Sequence, residues 1–178
     1  IETPRGDKLG MVSGGCSATL PGALNGVDKG RDNDRRLGES LLLGRDPLRR
    51  RPIDGLHTDA ITLVAEVIES TVKPSQPWGK IAQTAFGETP PALDRGEISR
   101  TILAIGQQDT DPRGLLPPSG IEILGASSDH LITDSGQQRL SVGTEVRFQL
   151  NYSALLRAMT SPFVAKVMQA QAATSLAC

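Results

Sequence analysis

Along this chain the order of apolar and polar positions changes character near Gly55. Beyond it, Ala60-Ile61-Thr62-Leu63-Val64-Ala65-Glu66-Val67-Ile68-Glu69 is β-branched and partly alternating. A period of two in such residues predicts a strand. Residues 80–87, 101–106, 121–125, 131–134 and 146–150 are further predicted strands, punctuated by Pro90-Pro91, Asp111-Pro112, Pro117-Pro118 and Gly136. Short strands spaced by glycine and proline turns predict a compact antiparallel β domain. Near the end, Ser161-Pro162 offers a hydroxyl for an N-cap and a proline for a first turn. It predicts a helix with Phe163, Val164, Val167 and Met168 on one face, and a tail that frays from Ala170.

Ahead of Gly55 the pattern is looser. Met11-Val12 runs into Ser13-Gly14-Gly15-Cys16-Ser17, which reads as a short strand opening onto a glycine turn that ends in a hydroxyl. Residues 20–34 are rich in Gly, Asn and Asp and read as loop. Arg36-Leu37-Gly38-Glu39 leads into Ser40-Leu41-Leu42-Leu43-Gly44, a second strand or a first helical turn. Residues 45–55 form a charged connector with prolines, the expected domain boundary.

Chemistry enters at the two glycine turns. Glycine removes the Cβ that would keep a ligand from the backbone N–H groups, and a following helix start adds partial positive charge suited to phosphate. Arg36 supplies a permanent cation beside the second turn. Barrels of the (β/α)₈ type often hold phosphate in the loops after their last two strands.

Composition narrows the classes. With a formal net charge of -1 and aromatics at 3%, no global field favours nucleic acid, and the core must be built from Val, Ile, Leu and Ala. Arg49-Arg50-Arg51 is a solvated run without an aromatic platform, so no nucleic-acid partner is expected. The apolar run Ile102-Leu103-Ala104-Ile105 is too short to span a bilayer, so no membrane role is expected. Cys16 and Cys178 have no metal-ligand spacing and read as free thiols of a reducing, cytoplasmic compartment. No metal site is predicted. The chain begins at Ile1 without a secretory signal pattern, which reads as a processed or truncated product.

The segments resemble the alanine and ornithine racemase group of pyridoxal-phosphate enzymes, in particular its ornithine-racemase-like branch. The resemblance rests on Val12-Ser13-Gly14-Gly15-Cys16-Ser17, on Arg36 through Arg45, and on Pro52-Ile53-Asp54-Gly55-Leu56-His57. It continues through Gln83-Thr84-Ala85-Phe86-Gly87, Ile121 through Ile132, and Leu150-Asn151-Tyr152-Ser153-Ala154-Leu155-Leu156 to Val164. It runs in order along nearly the whole chain. The fold it implies is an α/β piece followed by a mainly β one. Residues 1–45 would be the last strands of a (β/α)₈ cofactor-binding barrel, 46–150 an antiparallel β domain, and 151–178 a cofactor-contacting segment with a C-terminal helix. The implied parent is a homodimer that interconverts L- and D-forms of a small amino acid, ornithine- or alanine-like, by removing and returning the Cα proton.

Residue roles follow from the same resemblance. Cys16 and Ser17 stand where the family holds an Asn-Ser pair against the cofactor phosphate, Cys16 being a departure. Arg36 would face the pyridine nitrogen, staying protonated, while Gly38 and Glu39 would offer backbone N–H groups to the phosphate. Tyr152 would reach the phosphate with its phenol. Gln107, Ser128 and Asp129 would line the substrate site, contributed across the dimer. Gln107 falls where the family places an acid/base tyrosine, and an amide exchanges no proton at useful pH. Asp109, Asp129 and His130 are the candidates to replace it, unless the site has lost that function. None of the five lysines, Lys8, Lys29, Lys73, Lys80 and Lys166, has the context of the family's Schiff-base lysine. A barrel needs roughly 200 residues or more, so the isolated chain is expected not to racemise. The alternative reading is a non-catalytic β module that binds a small anion or a partner chain.

Overall fold

The computed structural model describes residues 9–26, 30–79 and 93–169. A six-stranded sheet dominates it, in the order β3-β6-β1-β2-β5-β4, with every pairing antiparallel. The strands are β1 Leu63–Pro74, β2 Glu97–Leu103, β3 Leu115–Leu116, β4 Glu122–Ala126, β5 Leu131–Asp134 and β6 Glu145–Leu150. The predicted strand at 80–87, the Gln83–Gly87 motif and the tail from Ala170 lie outside the described residues.

Alternation builds the core. Leu63, Ala65 and Val67 face inward from β1 beside Val146, Phe148 and Leu150 of β6, and Leu103 and Leu131 complete the layer. The alternation in β1 stops after Val67 because a bulge shifts the register against β2 between Val67 and Glu69. An extra residue in one strand flips the side chains that follow it to the other face. Beyond the bulge the β1–β2 arm carries exposed apolar residues such as Val72. Thr101 and Thr133 sit opposite each other in register, fully buried, and their hydroxyls hydrogen-bond to one another. That pairing satisfies two polar groups where no water reaches.

The predicted C-terminal helix needs correction. The C-terminal helix, α3, spans Tyr152–Thr160 and ends where the sequence pattern had placed its start. Asn151 is the N-cap, its side chain accepting from the Ala154 N–H at 2.9 Å. Ser161 is extended (φ -65, ψ 130), as the residue before a proline tends to be. Ser161-Pro162 therefore stops a helix. Phe163, Val167 and Met168 are exposed and non-helical. Ala154, Leu155 and Ala158, one face of α3, pack on the sheet core.

The first part of the chain is sparsely built. Residues 9–17 do not form a strand; Ser13 makes one parallel bridge to Asp34. The stretch read as loop from Leu20 holds a short helix, α1 (Leu20–Leu24), after a 3-10 turn, Ser17–Thr19. Helix α2 covers Glu39–Leu43, the helical one of the two alternatives there, and Gly44 closes it in the left-handed region (φ 63). A Cβ on Gly44 would lie 2.1 Å from the His57 carbonyl oxygen, so glycine is required twice over. Leu43 joins the sheet core and anchors this segment to it. No helix among the described residues is long and apolar enough to cross a membrane.

Candidate functional site

The single parallel bridge brings the two glycine turns side by side. Gly14 N–H donates to Asp34 O at 3.1 Å, and Asn33 and Asp34 N–H groups donate to Val12 O at 3.1 and 3.3 Å. Beyond this bridge Ser17 and the start of α2 touch. Ser17 Oγ accepts from the N–H groups of Gly38 at 3.1 Å and Ser40 at 3.3 Å. Those two bonds use its lone pairs, and its own hydroxyl proton has no acceptor among the described residues. The phenolic oxygen of Tyr152 lies 3.9 Å from where a Cβ on Gly38 would stand. A Cβ at 38 would thus meet the phenol at an ordinary contact distance. The Glu39 N–H heads α2, where a helix offers no internal acceptor. Ser40 Oγ, fully buried, has no hydrogen-bond partner among the described residues.

Ser17, Gly38, Glu39 and Tyr152 thus gather in one place, while the side chains of Arg36 and Cys16 hydrogen-bond to none of them. Arg36 is exposed and hydrogen-bonds to no described residue. Its neighbour Arg35 is the guanidinium anchored to the first turn, donating to Thr19 Oγ1 at 2.9 Å. Gly15, at φ 75, leaves room for both, since a Cβ there would meet Thr19 Oγ1 at 2.4 Å and Arg35 at 2.6 Å. Cys16 is a free, exposed thiol whose N–H donates to Thr19 Oγ1 at 3.1 Å. The Glu39 carboxylate is ion-paired with Arg50, so what it leaves at the cradle is its backbone. Arg35 and Thr19 were not singled out from sequence, and Arg50 was read only as part of a solvated basic run. Their only signal was charge or hydroxyl near a glycine turn, which solvated residues share.

A second cluster forms where two loops meet. Gln107 N–H donates to Ser127 O at 3.0 Å and Gln108 N–H to Ser128 O at 2.9 Å. The approach is close enough that a Cβ on Gly106 would lie 2.4 Å from Asp129 N and Ser128 O. At its centre Asp129 Oδ1 accepts from Ser127 Oγ at 3.2 Å and Ser128 Oγ at 3.1 Å, with His130 Nδ1 at 2.9 Å. The Ser128 hydroxyl, then the charge of His130 and the Ser127 hydroxyl, hold the Asp129 carboxyl below its ordinary range against a smaller opposing effect of burial. Asp129 is therefore ionised at neutral pH and a poor proton acceptor there. Paired with it, the His130 imidazole is oriented through Nδ1, and its Nε2 hydrogen-bonds to no described residue.

Asp109, the third acid/base candidate, is only 5% exposed. Its carboxylate accepts from Gly106 N–H at 3.0 Å and Ser161 Oγ at 3.3 Å, the bonds of a structural group. Of the lysines in the described residues, Lys73 pairs with Glu69 on β1 and Lys166 donates to Ser161 O. Neither of these two bonds involves a cradle residue. No hydrogen bond among the described residues joins the Gly38 cradle directly to the Gln107–His130 cluster.

Comparison with known proteins adds the following. No family model matches the chain. It is 44% identical over 173 residues to a lysine racemase of Thermotoga maritima, covering 95% of this chain and 48% of that protein. It is 42% identical over 166 residues to an ornithine racemase of Acetoanaerobium sticklandii, covering 89% of this chain and 46% of that protein. Among solved structures, an alanine racemase from Acinetobacter baumannii is similar with a TM-score of 0.47 and 17% identity, over 85% of this chain and 43% of that one. The chain belongs to the alanine/ornithine racemase family, as its C-terminal part. It spans about half the length of the curated relatives it matches.

Proposed function

We propose that this chain is the C-terminal half of a pyridoxal-phosphate-dependent amino-acid racemase, and that its Gly38 cradle holds the cofactor phosphate. The observation that carries the reading is the meeting of Ser17 and Tyr152 at Gly38. The donor set fits a phosphate. Two hydroxyl protons without acceptors among the described residues and the leading amide of α2 lie about Gly38, and the adjacent Glu39 carboxylate is ion-paired with Arg50. Arg36, exposed and unpaired, is the residue we assign to the pyridine nitrogen. Cys16 borders the cradle through its backbone.

When bound, pyridoxal phosphate supplies a ring that delocalises the charge left at Cα. This chain's residues hold and orient that ring and move protons beside it. Asp129 fixes His130, and His130 carries the proton that Gln107 cannot. Gln107 and Ser128 flank the substrate, contributed to the partner's site in a cytoplasmic homodimer. The relatives' names favour ornithine or lysine over alanine as substrate. Residues 1–45 read as the end of a (β/α)₈ barrel, supported by the parallel bridge and the two turn-helix units that follow it. The Schiff-base lysine belongs to the other half, consistent with the bonds that Lys73 and Lys166 make elsewhere.

The test is a titration with pyridoxal phosphate, on this chain alone and on the chain joined to the missing half. The reading expects the yellow lysine-bound absorbance, and interconversion of D- and L-ornithine or lysine, with the joined protein only. Absence of both from the joined protein would favour a β module without catalysis.

A further inference from the structure

Tyr152 makes no side-chain hydrogen bond to a described residue, yet each of its neighbours in the first turn of α3 is tied to one segment. Asn151 N–H donates to Gly114 O at 2.8 Å. Ser153 Oγ donates to Asp111 Oδ2 at 2.6 Å. Thr110 Oγ1, buried, donates to the Ala154 carbonyl at 3.1 Å. Gly114 packs so tightly that a Cβ would lie 2.0 Å from Asn151 Oδ1, the atom that caps the helix. The same segment, at its other end, supplies Gly106, Gln107 and Gln108 to the loop of Ser127, Ser128 and Asp129. Its middle is locked by Asp109 between Gly106 and Ser161.

We propose that residues 106–114 form a strut that sets Tyr152 against Gly38, with Asp111 as the positioning residue for Tyr152. A helix turns by a fixed angle per residue, so clamping residues 151, 153 and 154 fixes the Cα–Cβ direction of 152, and its side-chain rotamer carries the phenol the rest of the way. A phenol left free of hydrogen bonds can then meet a ligand while its aim is set from behind. The Ser153 hydroxyl is the main reason the Asp111 carboxyl stays below its ordinary range, so the clasp is charge-assisted at neutral pH. The strut also gives the Gln107 cluster and the cradle a shared support, so displacing Asp109 moves both. This inference rests on the reading of Tyr152 as a phosphate contact, and its test separates the two.

Tyr152 is the only tyrosine of the chain, so ring-labelled tyrosine gives one NMR signal that reports this site alone. The full chain is compared with Asp111→Ala, Asp111→Asn, Ser153→Ala and Asp109→Ala, without and with inorganic phosphate. Asp111→Ala and Ser153→Ala are expected to shift or broaden the tyrosine signal before phosphate is added and to weaken the phosphate response about five- to tenfold, one lost charge-assisted bond. Asp111→Asn keeps a partner for Ser153 and is expected to stay within about twofold of the parent chain. Asp109→Ala is expected to move the same signal from the far end of the strut. If Asp111→Ala fails to fold, Ser153→Ala carries the test from the helix side. Folded Asp111→Ala or Ser153→Ala with an unmoved signal overturns the positioning role even where phosphate binds. A moved signal in a chain that ignores phosphate keeps the strut and overturns the phosphate reading.

Discussion

The cradle at Gly38 and the loop pair at Gln107 use opposite halves of the hydrogen-bonding repertoire. The cradle is rich in donors, with hydroxyls, a helix-leading amide and a phenol around a glycine, and the Glu39 carboxylate is ion-paired with Arg50. The loop pair is centred on an acceptor, a carboxylate that takes two hydroxyls and faces an imidazole. A donor-rich hollow suits a fixed anion. An ionised carboxylate beside an imidazole suits proton transfer. Under the proposed function the two would divide the task, the cradle retaining the cofactor and the loop pair serving the chemistry.

That division can be broken most sharply at His130. In the joined protein, His130→Ala is expected to lower racemisation by about a hundredfold or more and leave cofactor affinity unchanged, as kinetics and an absorbance titration would report. A change in affinity instead would merge the two sites. Ser17→Ala works from the other side. It strands two amides and removes a donor, and about a ten- to hundredfold weaker hold on the cofactor is expected, with turnover at saturation little altered.

Gly106→Ala should have a smaller effect on stability, about 1–3 kcal/mol lost in chemical denaturation. The added Cβ meets backbone of the facing loop, which cannot swing aside as a side chain would.

The smallest expected effect is acid dependence at Asp129. Its folded carboxyl titrates below the unfolded value of about 3.9, so its contribution is full at neutral pH and is lost as pH falls through the lowered folded value. The stability gap between the parent chain and Asp129→Asn should therefore close in that acid window. A gap that persists at the lowest pH would show that Asp129 acts through packing.

Much of the sheet was legible because β-branched alternation is a local signal. Residues 131–134 coincide with β5, 146–150 start one residue late against β6, and 121–125 are shifted by one residue at both ends against β4. The two-residue β3 was not, since Leu115-Leu116 has no period to read. The helix was misplaced because Ser-Pro suits either end of one. Asn151, three residues before Ala154, was the better cap, but a single Asn is a weak sign without knowledge of what packs behind it. Of the cradle, Ser17, Gly38 and Tyr152 were named from resemblance and meet in space. The long-range ties that hold them, Asp111 to Ser153 across 42 residues and Arg50 to Glu39, leave no trace in a one-dimensional pattern.

The phosphate assignment faces its most direct test in one pair of affinities. Pyridoxal phosphate and pyridoxal, alike but for the phosphate, are titrated against the joined protein and its Tyr152→Phe variant. The account predicts that the variant binds pyridoxal phosphate about tenfold more weakly, the worth of one hydrogen bond to a charged group, and binds pyridoxal as before. Equal weakening of both ligands, or of neither, would contradict it.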